Sequence, residues 1–463
     1  MTQAFDAPTL DELRMTRVLV VGLGRSGTAV ARFLLRAGAR VSGYEGNSQV
    51  LAAKTVATLK RKGLAIPRRP ESVAADWAVV SPGIDDSHAV VGSLRRRGIP
   101  IVDELDLAAR FVPGPVIAVT GTNGKSTTTA LIARMLEESG RSVFCGGNLA
   151  PGQPLSVALL AGRRDYYVVE ASSFQLERAR WLKPKVAVIL NITPDHLNRH
   201  RTVQQYADCK LRILDRQDSG DHAVLNRDDP LVYAARNRGA AAKHLFSLRR
   251  RSVDSYLATG SLWSCRRRVL PASQLRLPGK HNVQNSLAAI ATARLLGVDL
   301  PEARRTLKTF SGLPHRLEFV RRLRGVDYIN SSMTTNPTAG ARTLEAVAMN
   351  GRGGGRGARR VVLIAGGREK ALPTMVYAVA MKRHAKWVLL VGESSARLAR
   401  ELTALRFRRY ERLLDLRAAV AAARTKAAIG DKVLFAPGFA SFDQFKDFEA
   451  RGAAFRREVD GLR

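Results

Sequence analysis

Between Ala118 and Thr129 the chain reads AVTGTNGKSTTT: two glycines, a lysine and a file of hydroxyls behind the apolar lead Val116 to Val119. Its centre, GTNGKS at 121–126, is two residues shorter between the glycines than the common GxxxxGK[ST] loop, yet the same physical logic applies. Backbone N–H groups along Gly121, Thr122, Asn123 and Gly124 form a nest for phosphate oxygens, and Lys125 supplies charge. Ser126 or Thr127 offers a hydroxyl to Mg²⁺.

A second glycine run, GLGRSG with Gly22, Gly24 and Gly27, follows a strand-like stretch and precedes a helical one, and Glu45 ends the next strand. This is the dinucleotide fingerprint. Alone it suits a nicotinamide cofactor and other nucleotides equally, with a purely structural tight turn as the lesser alternative. The two signatures compete for the reaction. Hydride transfer needs a base and a nicotinamide pocket; phosphoryl transfer needs further metal ligands, and these are present. Glu170 closes the strand DYYVVE, and NITPDHLNRH (191–200), which carries His196, follows the strand VAVILN. Singly, either is as readily a surface carboxylate or a capping histidine. Beside a phosphate loop, a carboxylate and an imidazole at strand ends suit the ligand edge of a parallel sheet.

The elements that must position these groups fall into three segments. RVLVVGLGRSGTAVARFLLRAGARVSGYE has the changing periodicity of a βαβ unit, WAVVSPGI (77–84) adds a strand, and VPGP (112–115) suits a linker. The second segment alternates strands and helices to about Ser311. The third begins near GLPHR (312–316), and RRVVLIAGG, WVLLVGES and DKVLFAPG mark another parallel α/β unit. NGRGGGRGARR (350–360) is the one low-complexity tract; its RGG-like composition can bind RNA, but a lone tract before a strand reads as a surface loop.

A length of 463 residues calls for two to four domains, and 45% apolar with 25% charged residues is the balance of a soluble globular protein. No secretory h-region follows Met1, and nowhere do roughly 18 apolar residues run together. Cys145, Cys209 and Cys265 have no zinc spacing and read as free thiols of a reducing compartment, hence the cytoplasm. The net charge of +35 is spread along the chain without interleaved aromatics. That pattern reads as a solvated basic surface with sites for anionic substrates rather than a base-reading nucleic-acid interface. Neither a nucleic-acid nor a membrane partner is expected.

GTNGKSTTT, EASSFQLE, NITPDHLNRH, LNRDDP, LPGKHNVQNSLAA, GLPHRLE and FASFDQFKDFEARGAAF resemble, in order, the motifs of the Mur ligases, from about residue 17 to the end. SSFQLE and FDQFKDFEARG are specific for the glutamate-adding branch. The resemblance implies an α/β protein of three domains: a Rossmann-like one at 1–112 for UDP, a central ATPase with a parallel sheet at 113–312, and a Rossmann-like one at 313–463 for the amino acid. GLGRSG would then hold uridine diphosphate, which decides against a dehydrogenase.

The implied activity is an ATP-dependent ligation of D-glutamate to UDP-N-acetylmuramoyl-L-alanine through an acyl phosphate, by a monomer using two Mg²⁺ ions. By the same resemblance Arg25, Ser26, Glu45 and Asn47 contact the nucleotide, and Asn148, Ser172 and Gln175 orient the muramoyl-alanine end. Lys125 contacts the β- and γ-phosphates, Ser126 and Glu170 hold one Mg²⁺, and His196 holds a second. Lys210, in QQYADCKLRIL, matches the lysine that the family carbamylates into an anionic ligand; without the family it reads as a solvated helix position. Asn285 would contact adenine, Arg316 the ATP ribose or phosphates, and Thr335, Lys370, Ser441, Phe442 and Phe448 belong to the glutamate pocket.

Four positions depart from the family pattern. Ser331 and Met333 replace an aspartate and a lysine, Asn198 replaces an aspartate, and Phe442 stands where leucine is common. Three of these lie in the third segment, so they bear on the amino acid rather than on ATP, and L-glutamate is the alternative acceptor.

Overall fold

In a computed structural model, the described residues are 8–84, 86–149, 152–277, 279–349, 359–369 and 372–463, with backbone alone at Leu197 and Asn198. Three sheets carry the chain. The first has strands β1 (Arg17–Val21), β2 (Arg40–Tyr44), β3 (Trp77–Val80) and β4 (Ile101–Val102) in the order β2-β1-β3-β4, with every pairing parallel. GLGRSG leads from β1 into helix α1 (Arg25–Arg36), as the fingerprint requires.

The second sheet contains β5 (Val116–Thr120), β6 (Val143–Gly147), β7 (Tyr166–Glu170), β8 (Val186–Ile189), β9 (His222–Asn226) and β10 (Ala242–Ser247), continued by β11 (Ser255–Ala258), β12 (Ser261–Ser264) and β13 (Arg267–Pro271). Its order is β13-β12-β11-β10-β9-β8-β5-β7-β6. All five residues of β5 are buried, because a central parallel strand is covered on both faces and so carries a continuous apolar run. Only the β11–β12 and β12–β13 pairings are antiparallel.

A third sheet, order β14-β15-β19-β16-β17-β18, is built from β14 (Glu318–Leu323), β15 (Val326–Asn330), β16 (Val361–Gly366), β17 (Ala385–Val391), β18 (Tyr410–Arg412) and β19 (Lys432–Phe435). It is parallel except for the β14–β15 hairpin. Two compact units result, Met1–Phe310 with the first two sheets and Ser311–Arg463 with the third.

Inside the first unit, helix α2 (Glu104–Phe111) fastens the two sheets together. Asp106 on α2 is buried, and its carboxylate accepts the backbone N–H groups of Arg180, Trp181 and Leu182 at 2.7–2.9 Å. Trp181 meets Trp77 of β3 edge-on, with ring centroids 5.8 Å apart. Nothing in the sequence VDELDLAARF marks this role. Asp103, Glu104 and Asp106 are all buried. Burial pushes the Asp106 carboxyl up to about 6 and that of Asp103 well above its ordinary range, with neighbouring Glu104 adding to the rise at Asp103.

Candidate active site

β5 delivers the chain to the C-terminal edge of the second sheet, where Gly121 and Gly124 take φ of +151° and +86°. A Cβ on Gly124 would lie 2.2 Å from Asn285 Oδ1, so glycine is needed there on both counts. The loop is laced to the segment after β8. Thr122 N donates to Asn191 O, Asn123 N donates to Asn191 Oδ1 at 2.8 Å, and Asn191 Nδ2 donates back to Asn123 O at 3.0 Å. Lys125 opens helix α3 (Lys125–Glu138), and its ammonium donates to Thr122 O at 3.0 Å; Ser126 and Thr127 follow in the first turn. Four hydrogen bonds thus fix the loop that precedes a fourteen-residue helix, whose N-terminus favours anions.

Neighbouring strands bring the next groups to the same edge. Glu170 ends β7, beside β5, and is buried. Its Oε2 accepts the Ser126 hydroxyl at 2.5 Å, while Oε1 accepts Asn148 Nδ2 at 2.9 Å. Asn148 is carried there by β6, which pairs with β7 through Gly147 and Glu170. One carboxylate therefore joins the phosphate loop to Asn148. Ser172 and Gln175 form a capping box on the short helix α4 (Ser173–Glu177), with Ser172 Oγ donating to Gln175 Oε1 at 2.9 Å.

Helix α5 (Val203–Leu211) contributes Tyr206 and Lys210, one turn apart on one face. Lys210 is 1% exposed, so the solvated position that composition alone suggests does not hold: tertiary packing over the loop overrides it. Its Nζ donates to Gly121 O at 2.9 Å and lies 4.6 Å from the Tyr206 ring centroid. Burial first, then the nearby charge of Lys125, pulls the ammonium down to about 7. The Tyr206 hydroxyl is 3.3 Å from Thr122 Oγ1. His196 is exposed, adopts φ +52°, and packs its ring 5.0 Å from Phe174 and 6.2 Å from Tyr206.

These donors can be weighed for divalent cations. A buried hydroxyl and a carboxylate meeting at Ser126 and Glu170 are the hard oxygens that Mg²⁺ takes alongside phosphate oxygens. Among the described residues, no three His, Cys, Asp or Glu side chains converge as a metal centre. His196 Nε2 lies 3.7 Å from Asp195 Oδ2, while Lys210, as an amine, offers no oxygen donor.

At the first sheet, Gly22 has φ +93°, and a Cβ on Gly27 would fall 1.7 Å from Gly22 O, so helix and turn touch directly. Glu45 has both oxygens engaged, Oε2 with Leu23 N at 2.8 Å and Oε1 with Asn47 N at 2.9 Å; it braces the glycine turn. Asn47 caps the following helix through Gln49 N, and Arg25 donates to Gly152 O at 2.6 Å. Ser26 is half-buried in the first turn of α1. Asn285, on helix α6 (Lys280–Leu295), is buried against the phosphate loop and donates to Asn282 Oδ1 at 3.3 Å.

Arg316, Thr335, Ser441, Phe442 and Phe448 belong to the second unit. Ser441 is buried, Thr335 half-buried and Phe442 66% exposed. Phe448 opens helix α9 (Phe448–Asp460), stacks edge-on to His315 and accepts the Ser332 hydroxyl on its carbonyl at 2.8 Å. Ser331, in place of the family's aspartate, is buried with its Oγ 3.1 Å from Thr334 Oγ1, and Met333 is half-buried. Lys370 and the side chain of Asn198 lie outside the described residues, as does most of the low-complexity tract.

Sequence reasoning missed Arg451. It is buried on α9 and donates to Ser332 O, Ser332 Oγ and Phe439 O at 2.8–3.1 Å. Burial draws its guanidinium down to about 10. Tyr206 was also missed, although its i, i+4 spacing to Lys210 was a usable signal.

Comparison with known proteins covers all three sheets. Residues 16–103 match the Mur ligase MurD-like N-terminal domain, 119–293 the Mur ligase middle domain, and 315–439 the Mur ligase glutamate ligase domain. The chain is 40% identical to UDP-N-acetylmuramoylalanine--D-glutamate ligase of Pelotomaculum thermopropionicum, covering 98% of this chain and 99% of that one. Identity to the enzyme of the same name from Caldanaerobacter subterraneus is 36%, over 98% and 100%. Among solved structures, UDP-N-acetylmuramate-alanine ligase MurC of Thermotoga maritima superposes with a TM-score of 0.55 at 20% identity, covering 96% of this chain and 99% of that one. The MurF ligase of Thermotoga maritima in complex with ADP gives 0.53 at 18%, over 97% and 99%; these two share the fold.

Proposed function

The chain belongs to the Mur ligase family, and from that membership we propose that it joins D-glutamate to UDP-N-acetylmuramoyl-L-alanine at the expense of ATP, as a monomer, in a cytoplasmic step of peptidoglycan-precursor synthesis. A carboxylate is a poor acyl donor because its leaving group would be oxide. Transfer of the γ-phosphoryl group onto the alanyl carboxylate makes an acyl phosphate, the glutamate amine attacks it, and phosphate leaves as the amide forms. Donor and acceptor of the first step are both anions, so charge neutralisation and alignment dominate the barrier.

The observation that carries this reading is the Glu170 carboxylate shared by Ser126 and Asn148. It ties the loop assigned to ATP to an asparagine assigned to the acyl acceptor, so both partners of the phosphoryl transfer would be aligned from one point. Lys125 neutralises the β- and γ-phosphates. Asn148, Ser172 and Gln175 orient the muramoyl-alanine end, while Arg25, Ser26 and Asn47 bind the uridine diphosphate on a turn that Glu45 holds in shape. Asn285 and Arg316 bind ATP, and Thr335, Lys370, Ser441, Phe442 and Phe448 take glutamate.

Ser126 and Glu170 would hold one Mg²⁺, and His196 with a carbamylated Lys210 a second; bound there, the metal offsets phosphate charge. A buried lysine whose amine loses its proton near neutrality is chemically suited to take up CO₂.

Phosphate release from UDP-N-acetylmuramoyl-L-alanine and ATP, measured with D- and L-glutamate in separate reactions, tests the proposal. Turnover with the D enantiomer is expected. Turnover with L-glutamate alone would transfer the assignment to the alternative acceptor, and none with either would end it.

A further inference from the structure

Helix α7 (Pro337–Met349) packs beside helix α8 (Met375–His384) in the second unit, closely enough that a Cβ on Gly340 would meet the Tyr377 ring at 2.6 Å. Tyr377, Ala378 and Met381 form the buried stripe of α8. The opposite stripe is the anomaly. Met375, Val376, Val379, Lys382 and Arg383 follow i, i+1, i+4, i+7, i+8, so they share one outward face. Its first half is apolar: Met375 is 46% exposed, Val376 45% and Val379 47%, with Leu372 just before them at 39%. Its second half is cationic. Met349, at the end of α7, is 73% exposed, and Arg359 and Arg383 lie within electrostatic range of His384, as does Glu345.

A solvated helix face in a protein of net charge +35 has no need of three adjoining large apolar side chains. We propose that the outward stripe of α8 docks the protein onto an anionic lipid surface, its apolar half entering the headgroup boundary and its cationic half pairing with lipid phosphates. Amphipathic helices lying in the interface combine these two contributions, and each lysine or arginine near such a surface strengthens binding roughly fivefold. Nucleic acid would use the cations but leave the methionine and valines without a partner, and the stripe has no aromatic residue for base stacking. A second copy of the chain would bring another +35 to the contact. No described helix is long and apolar enough to cross a membrane, so the contact is peripheral. This departs from the expectation, drawn from sequence, of no membrane partner.

Co-sedimentation of the full chain with phosphatidylglycerol–phosphatidylcholine vesicles, at about 0.1 M salt where screening reaches ~10 Å, tests the proposal. Binding is expected, at least tenfold tighter than to phosphatidylcholine alone. The double variants Met375→Glu/Val379→Glu and Lys382→Glu/Arg383→Glu should each weaken it at least tenfold while ATP turnover stays at the parent level. Should either variant fold poorly, Val379→Trp in the otherwise unchanged chain should show added quenching by brominated lipid. The proposal fails if no vesicles are bound, if both double variants bind like the parent, or if an RNA oligomer is retained through α8 while vesicles are not. A dimer in sedimentation velocity that Val379→Glu dissolves would equally overturn it.

Discussion

Lys210 Nζ donates to the carbonyl oxygen of Gly121 at 2.9 Å, which sets a buried amine on the first residue of the phosphate loop. Tyr206 beneath it and Thr122 beside it complete a small cage. An amine so placed touches the loop without being part of the loop sequence.

If Lys210 carries a carbamate, ¹³C-bicarbonate should give the protein a carbamate resonance that Lys210→Arg lacks. Turnover of Lys210→Arg should drop by about two orders of magnitude, the scale of one lost electrostatic group. Full turnover in Lys210→Ala would remove the modification from the account.

Gly124→Ala should cut phosphate release at least a hundredfold. The residue sits at φ +86°, and its new Cβ would press on Asn285 Oδ1 at 2.2 Å. Left-handed strain alone costs about 1–2 kcal/mol. Adding Asn285→Ser should relieve the collision but not the dihedral, so steady-state kinetics of the double variant should show partial recovery.

Asp103 should make stability fall as pH rises. Its carboxyl holds the proton more tightly folded than unfolded, chiefly through burial. The resulting stabilisation is complete below the ordinary carboxyl value of 3.8 and is lost as pH climbs through the raised folded value. Thermal melts between about pH 4 and 8 should therefore slope downward, by up to ~1.4 kcal/mol per pH unit for one proton. Asp103→Asn keeps the cap on Leu105 N and should lessen that slope, leaving the share due to Asp106 and Glu104, whose carboxyls burial also raises.

Arg451→Lys should destabilise the second unit by about 2–4 kcal/mol. Lysine cannot reach Ser332 O, Ser332 Oγ and Phe439 O together, and a buried carbonyl left unpaired costs about 1–3 kcal/mol. Urea unfolding monitored by circular dichroism would register a lower midpoint.

Much of this architecture is readable from residues. The apolar run of β5 before GTNGKS, Glu170 at the end of β7 and the glycines at 22, 24 and 27 all sit where periodicity puts them. The β12–β13 hairpin was not readable, because Cys265 and Arg266 turn the chain at positive φ without the glycine or asparagine that flags such turns, whereas Gly260 after Thr259 does mark the β11–β12 turn. Burial of Lys210, Arg451 and Asp103 was equally hidden. Burial of a charged side chain depends on segments far away in sequence that pack over it or supply its partners, as Gly121 does for Lys210 and Ser332 does for Arg451, and no local pattern records them.

Asp106 and the Trp77–Trp181 contact carry one more implication. A fragment cut at the proline-rich joint near Val112 would strand a tryptophan face on one piece and three orphaned amides on the other. Residues up to Phe310 should accordingly denature in a single transition, and limited proteolysis of the native protein should find no stable product ending at that joint. For this unit of the molecule, the folding boundary and the boundary between ligand assignments are different places.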